Sequence, residues 1–262
     1  MREFALFLLS VAAGLIGSIA PSNSNDLGVV LLHGKLGSPS GYVARLASNL
    51  ERKGYLVSAP TMPWAGNRIY DTTFEEAMRE IDRETDSLRQ RGAKWVVVAG
   101  HSMGANAALG YAASRSGVSG VIALAPGHVP EDSAWIKLLG ADVKQAKELI
   151  ATGKGNEKYR FTDWDQNAGQ RYPIVTTPAV YLSWFDPEGP AVMPKSAASF
   201  RTSIPLLLVV GSREPFARGK DYIFEKAPPH PKSKFITVSA GHTEVPSAAI
   251  HEVITWLILL RQ

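Results

Sequence analysis

The chain has 262 residues, 45% hydrophobic and 20% charged, which suits a large α/β domain with a substantial core and argues against disorder. Its formal charge of +4 is scattered, and the densest basic group, Lys232 and Lys234, is too small for a nucleic-acid footprint, so no nucleic-acid partner is expected. With no cysteine, disulfides, cysteine nucleophiles and thiolate metal sites are excluded.

Residues 1–20, MREFALFLLSVAAGLIGSIA, read as a targeting segment. Arg2 gives a weak positive start, Phe4 to Ala20 is an apolar run, and Ser18-Ile19-Ala20 fits a small-x-small cleavage site. The run is a little short for a membrane span of about 20 residues, which favours a signal peptide over an uncleaved anchor. Either one carries the domain across a membrane: the expected location is periplasmic or secreted, or membrane-anchored outside the cytoplasm. Residues 21–26 form a linker, and the domain occupies 27–262.

From there strands and helices alternate. LGVVLLHG is a short apolar run ending in glycine, the pattern of a strand buried on both faces. SGYVARLASNLERKG predicts a helix with Tyr42, Leu46 and Leu50 on its apolar stripe, and YLVSAP the next strand. TTFEEAMREIDRETDSLRQRG is the clearest helix, capped by Thr72 or Thr73, with acids in its first turn and arginines before Gly92. Its charges are expected to form only a solvated outer face. KWVVVAG, MGANAALGYAAS and VSGVIALAP follow as strand, helix and strand.

The stretch from about 127 to 203 breaks the rhythm. It holds nine aromatic residues and two predicted helices, SAWIKLLGADVKQAKELIATG and one around TTPAVYLSWF. An insertion between core strands is a common place for a lid. The alternation then resumes with IPLLLVVG as a strand, GKDYIFEKA as a helix, KFITVSAG as a strand and SAAIHEVITWLILL as a closing helix. Such alternation predicts a mostly parallel sheet flanked by helices, with ligands bound beyond the carboxyl ends of the strands.

Gly100-His101-Ser102-Met103-Gly104 lies between a buried strand and a helix. A serine hydroxyl that attacks a substrate must protrude from a tight turn, and the crowded backbone there needs small neighbours, here Gly100 and Gly104. The N–H of Met103, at the start of the following helix, would face an oxyanion formed at Ser102. His33-Gly34 ends the first strand and turns a loop toward the same edge. The N–H of Lys35, or else of Leu36, can supply the second donor, and His33 itself has a structural role. Of the six histidines, only His242 directly follows a convincing core strand, which makes it the candidate base. Glu214, just past another buried strand, is the candidate acid that orients it, with Asp221 the fallback and Glu131 or Asp132 a third option.

These residues together resemble the α/β-hydrolase superfamily: HG after the first core strand, GHSMG at the elbow, an acid after a late strand and GH after the last, in the order Ser, acid, His. The resemblance runs from about Leu27 to the C-terminus and is that of a small bacterial esterase- or lipase-like member. It implies a serine hydrolase acting on small-molecule esters through an acyl-enzyme. Ser102, His242 and Glu214 would form its catalytic triad, and no cofactor or metal is implied. Acyl transfer or amide cleavage by the same triad is the alternative, and a non-catalytic binding protein is a further one. The superfamily core has eight strands, of which this chain lacks the first one or two. The superfamily's commoner acid at the Glu214 position is aspartate, one methylene shorter.

Overall fold

The computed structural model describes residues 26–262. The targeting segment and nearly all of the linker lie outside the described residues. The elements in chain order are β1 (Leu27–Leu32), α1 (Ala44–Arg52), β2 (Leu56–Ser58), α2 (Phe74–Gln90), β3 (Trp95–His101), α3 (Met103–Ser114) and β4 (Gly120–Leu124). The insertion adds α4 (Ser133–Ala151), β5 (Tyr159–Asp165), β6 (Gln170–Thr176), α5 (Pro178–Phe185) and α6 (Met193–Ala198). The chain closes with β7 (Leu206–Gly211), β8 (Lys234–Val238), α7 (Val245–Ala248) and α8 (Ile250–Leu260).

Among the described residues the main sheet has six strands in the order β2-β1-β3-β4-β7-β8, every neighbouring pair parallel. Alternation within the strands explains its two-sided burial. Val30, Leu32, Val96, Val98, Leu206 and Leu208 face α2, α3 and the insertion. The intervening positions Val29, Leu31, Val97, Ala99, Leu207 and Val209 face α1, α7 and α8 instead. The four central strands are therefore covered on both faces, as a parallel sheet requires, while the edge strands β2 and β8 stay partly exposed. Small residues let α3 lie close to its neighbours: a methyl group on Gly110 would fall 2.3 Å from the Phe74 ring. No described helix is long and apolar enough to cross a membrane.

Strand order reverses between β1 and β3, which are paired from Leu27 with Trp95 to Leu32 with Gly100. Such a reversal opens a crevice beyond the carboxyl ends of the strands. It also sets the loop after β1 directly beside the turn after β3.

Several expectations need correction. Helix α1 begins only at Ala44, so Tyr42 is off its stripe and 61% exposed, and Val43 is buried in its place. The segment GKDYIFEKA forms only a short 3-10 turn at Lys220–Tyr222; it has no side-chain cap, and Ile223 is its one fully buried residue. The charges of α2 do more than meet solvent: Glu80 pairs with Arg68, Asp82 accepts from Tyr111 and Arg115, and Glu84 accepts from Ser58. The insertion contains an antiparallel hairpin, β5 with β6, paired from Tyr159 with Thr176 to Asp165 with Gln170.

Candidate active site

Ser102 occupies the turn between β3 and α3 with φ 55° and ψ −115°. This left-handed backbone is unfavourable for a residue with a Cβ and is held by its surroundings. Its N–H donates to Leu124 O of β4 at 3.0 Å, while its carbonyl accepts from Ala105 and Asn106 in α3. The Ser102 hydroxyl makes no capping bond to the helix.

That hydroxyl instead lies 3.0 Å from Nε2 of His242, in the loop after β8. Nδ1 of the same ring lies 2.6 Å from Oε2 of Glu214, in the loop after β7. An ionised carboxylate only accepts, so Nδ1 carries the proton and Nε2 presents its lone pair to the serine O–H. Glu214 is buried and its other oxygen accepts the Gly211 N–H at 2.5 Å, which aims the carboxylate. The His242 loop is fastened by Glu244, whose carboxylate accepts from Gly241 N–H and from Arg213. These bonds hold the Glu244 carboxyl below its usual range.

The loop after β1 packs against the same turn: a methyl group on Gly34 would fall 3.2 Å from the Ser102 Cβ. Of the two candidate amides here, the Leu36 N–H is already bonded to Trp64 O at 2.8 Å. Among the described residues the Lys35 N–H is bonded to no backbone carbonyl. Met103 opens α3, and a first-turn amide has no partner within its helix. Asp221 is exposed on its short turn, and Glu131 and Asp132 are engaged by Tyr222 and Arg218. None of these three carboxylates bonds to His242, whose acid partner is Glu214.

Of the remaining histidines, His251 is exposed on α8, and four are engaged elsewhere. His33 donates from Nδ1 to Gly34 O at 2.8 Å and accepts the Met62 N–H at Nε2, a purely structural arrangement. His128 bonds Trp184 O at 2.7 Å, and His230 accepts from Lys232 N–H. His101 is buried and donates from Nε2 to the His242 carbonyl at 3.0 Å, its ring centroid 5.1 Å from that of His242. It therefore supports the loop that carries His242 as well as filling space.

Burial, the largest cause, drives the His101 imidazole down to about 3 from its ordinary 6.5. Burial also lowers His33 and His128. In the unfolded chain these rings protonate near 6.5, so below that pH the unfolded state binds more protons than the native one. Stability is then fullest above about pH 6.5 and declines as pH falls toward 3, by up to about 1.4 kcal/mol per pH unit for His101 alone. Urea midpoints measured at about pH 7.5 and about pH 5 check this. The wild type is expected to weaken on acidification and His101→Gln to weaken less; equal acid sensitivity of the two proteins would contradict it.

Ser102, His242 and Glu214 line a cavity of about 450 Å³. The insertion supplies one wall, with Trp135, Trp164 and Tyr172, and Tyr42 and Phe216 are exposed large side chains lining the cavity. The sequence offered no role for Gly127, yet it is fitted against the site: a methyl group there would lie 2.7 Å from the Ser102 hydroxyl. Nor did it reveal that the Lys35 side chain reaches the insertion, pairing with Asp163 at 2.6 Å. Burial raises the Asp163 carboxyl, and the Lys35 ammonium opposes that shift.

A search of curated proteins gives no match to this sequence. Solved structures share the fold. The monoacylglycerol lipase of Paleococcus ferrophilus is 22% identical with a TM-score of 0.62, over 89% of this chain and 94% of that one. Est1E of Butyrivibrio proteoclasticus, solved with ferulic acid bound, is 14% identical with a TM-score of 0.61, over 91% of each chain. The Pyrococcus furiosus esterase Pf2001 is 19% identical with a TM-score of 0.57, over 90% of this chain and 84% of that one. The model of the alpha/beta hydrolase family matches residues 29–254, from within β1 to within α8, and the chain belongs to that family.

Proposed function

We propose that this protein is a serine hydrolase that cleaves small-molecule carboxylic esters through an acyl-enzyme. The observation that carries the proposal is the continuous chain of hydrogen bonds from Glu214 through His242 to Ser102 on the wall of a cavity. Membership of the alpha/beta hydrolase family and the lipase and esterases among the structural neighbours support it.

In this reading Ser102 attacks the ester carbonyl while Nε2 of His242 takes its proton. The carbonyl oxygen becomes an oxyanion and accepts from the N–H groups of Lys35 and Met103, each such donor lowering the barrier by about 3 kcal/mol. The imidazolium, stabilised by Glu214, gives its proton to the departing alkoxide. Water then enters and adds to the acyl carbonyl as His242 removes its proton, and the imidazolium returns that proton to Ser102 Oγ as the acyl–Ser102 bond breaks and the carboxylic acid leaves. The aromatic wall from the insertion contacts the substrate and acts as the lid, selecting the group that fits.

Turnover of short-chain nitrophenyl esters, extended to a panel of increasing acyl length, tests the activity and measures that selection. The acid has its own test. Glu214→Gln places an amide opposite Nδ1 and favours the wrong tautomer, so the rate is expected to fall about 10³- to 10⁴-fold. Asp221→Asn, on the surface, is expected to leave it unchanged. The reverse ranking would make Asp221 the acid.

A further inference from the structure

Lys35 contributes to the site twice, by its backbone and by its side chain. The backbone is pinned on both sides: Gly34 abuts Ser102, and the Leu36 N–H is bonded to Trp64 O. The side chain leaves the loop and enters the insertion, where it pairs with Asp163; Asp163 is fully buried at 1% exposure and Lys35 nearly so at 9%. The ammonium also donates to Trp164 O at 3.0 Å and sits 4.8 Å from the centroid of the Trp135 ring. Asp163 accepts in addition from Trp164 N–H at 2.6 Å and Tyr70 O–H at 3.1 Å. Two of the three ammonium protons are thus taken by oxygen acceptors and the charge rests against an aromatic ring. Lys35 is engaged within the protein by two acceptors and an aromatic ring. A buried pair of this kind contributes little net stability compared with an apolar pair, so its fixed geometry needs another explanation.

We propose that the Lys35–Asp163 pair is a positioning device: docking the ammonium on the β5–β6 hairpin sets where the Lys35 amide meets the oxyanion. The inference rests on the serine-hydrolase reading and goes beyond it. The insertion would then govern the rate of attack as well as the choice of substrate. Displacing an oxyanion donor by a fraction of an ångström weakens its bond to the tetrahedral adduct while leaving ground-state binding intact.

Paired inhibitors separate these two kinds of binding. The trifluoromethyl analogue of benzylacetone adds a serine hydroxyl to give a tetrahedral oxyanion, whereas benzylacetone itself occupies the cavity without reacting. In the Lys35→Met/Asp163→Asn double variant no charge is left unpaired, and the side-chain amide carbonyl at position 163 would still accept the Trp164 N–H. Its inhibition constant for the trifluoromethyl ketone is expected to weaken about 10- to 100-fold, with that for benzylacetone unchanged. Asp163→Asn alone, in which Lys35 keeps its bond to Trp164 O, is expected to fall between the double variant and wild type, and serves where the double variant fails to fold. If the ratio of the two constants matches wild type, or both constants weaken together, the pair only shapes the cavity and the inference is overturned. A wild-type protein with no preference for the trifluoromethyl ketone removes the serine-hydrolase reading itself, and the inference with it.

Discussion

Ser102→Ala is expected to lower ester turnover by about 10⁴- to 10⁶-fold and to abolish labelling by a fluorophosphonate probe. The magnitude follows from the arrangement around the hydroxyl. In the proposed mechanism it is the atom that His242, 3.0 Å away, deprotonates, and without it neither the ring nor Glu214 would have a nucleophile to activate. The change tests chemistry separately from folding. The hydroxyl bonds to nothing else and caps no helix, and alanine carries the same Cβ through the same left-handed backbone. Unfolding stability is therefore expected to stay within about 0.5 kcal/mol. Unchanged phosphonate labelling in the variant would place the reactive group elsewhere and end the proposed function.

Gly100→Ala is expected to have the opposite signature, with stability lost first. A methyl group at this position would lie 2.0 Å from the Gly104 carbonyl oxygen and 2.6 Å from the Ala105 nitrogen. Both contacts are backbone, so no side chain can swing away. Relief requires β3 and α3 to separate, although their other faces are packed on both layers of the core. We expect a cost of about 3 kcal/mol or more, seen as a fall of roughly 6–12 °C in Tm. Gly104→Ala meets the carbonyls of Leu32 and His33 at 2.5 and 2.7 Å and is expected to behave alike. A thermal scan on either variant that overlays the wild type would show that the turn can relax and does not need glycine.

The frame was readable because burial on both faces leaves an unbroken apolar run. β1, β3, β4 and β7 all have that form and fall where the runs do. The resemblance implied eight strands less the first one or two, and six are found in the main sheet among the described residues. The positions of Ser102 and Glu214 at the sheet edge were readable for a related reason, since they come just after β3 and β7, whereas His242 follows the edge strand β8, whose residues are mostly only partly buried. The hairpin of the insertion was hidden because its inward positions do not alternate cleanly. In β5 the buried residues are Phe161 and Asp163, and an aspartate at an interior position conceals the period of two. In β6, Pro173 obscures the strand further. The partner that explains Asp163 is Lys35, 128 residues away, and no local pattern carries a contact of that range.

The chain leaves the sheet after β4 and rejoins it at β7, and these are neighbouring strands, in register from Val121 with Leu206 to Leu124 with Val209. Because the pair is parallel, the intervening polypeptide leaves at the carboxyl end of β4 and returns to the amino end of β7, so its ends are offset by about three residues along the strands, roughly 10 Å, as well as by one strand spacing, near 4.8 Å. Lengthening or exchanging such a segment adds little closure entropy, which grows only with the logarithm of length, and leaves the ladder unaltered. Chimeras that transplant this segment between relatives should accordingly assemble, provided the graft brings a carboxylate to meet Lys35 or arrives with that lysine replaced. Diversification in this lineage can thus proceed by swapping one excursion of the chain while the hydrogen-bonded frame stays constant.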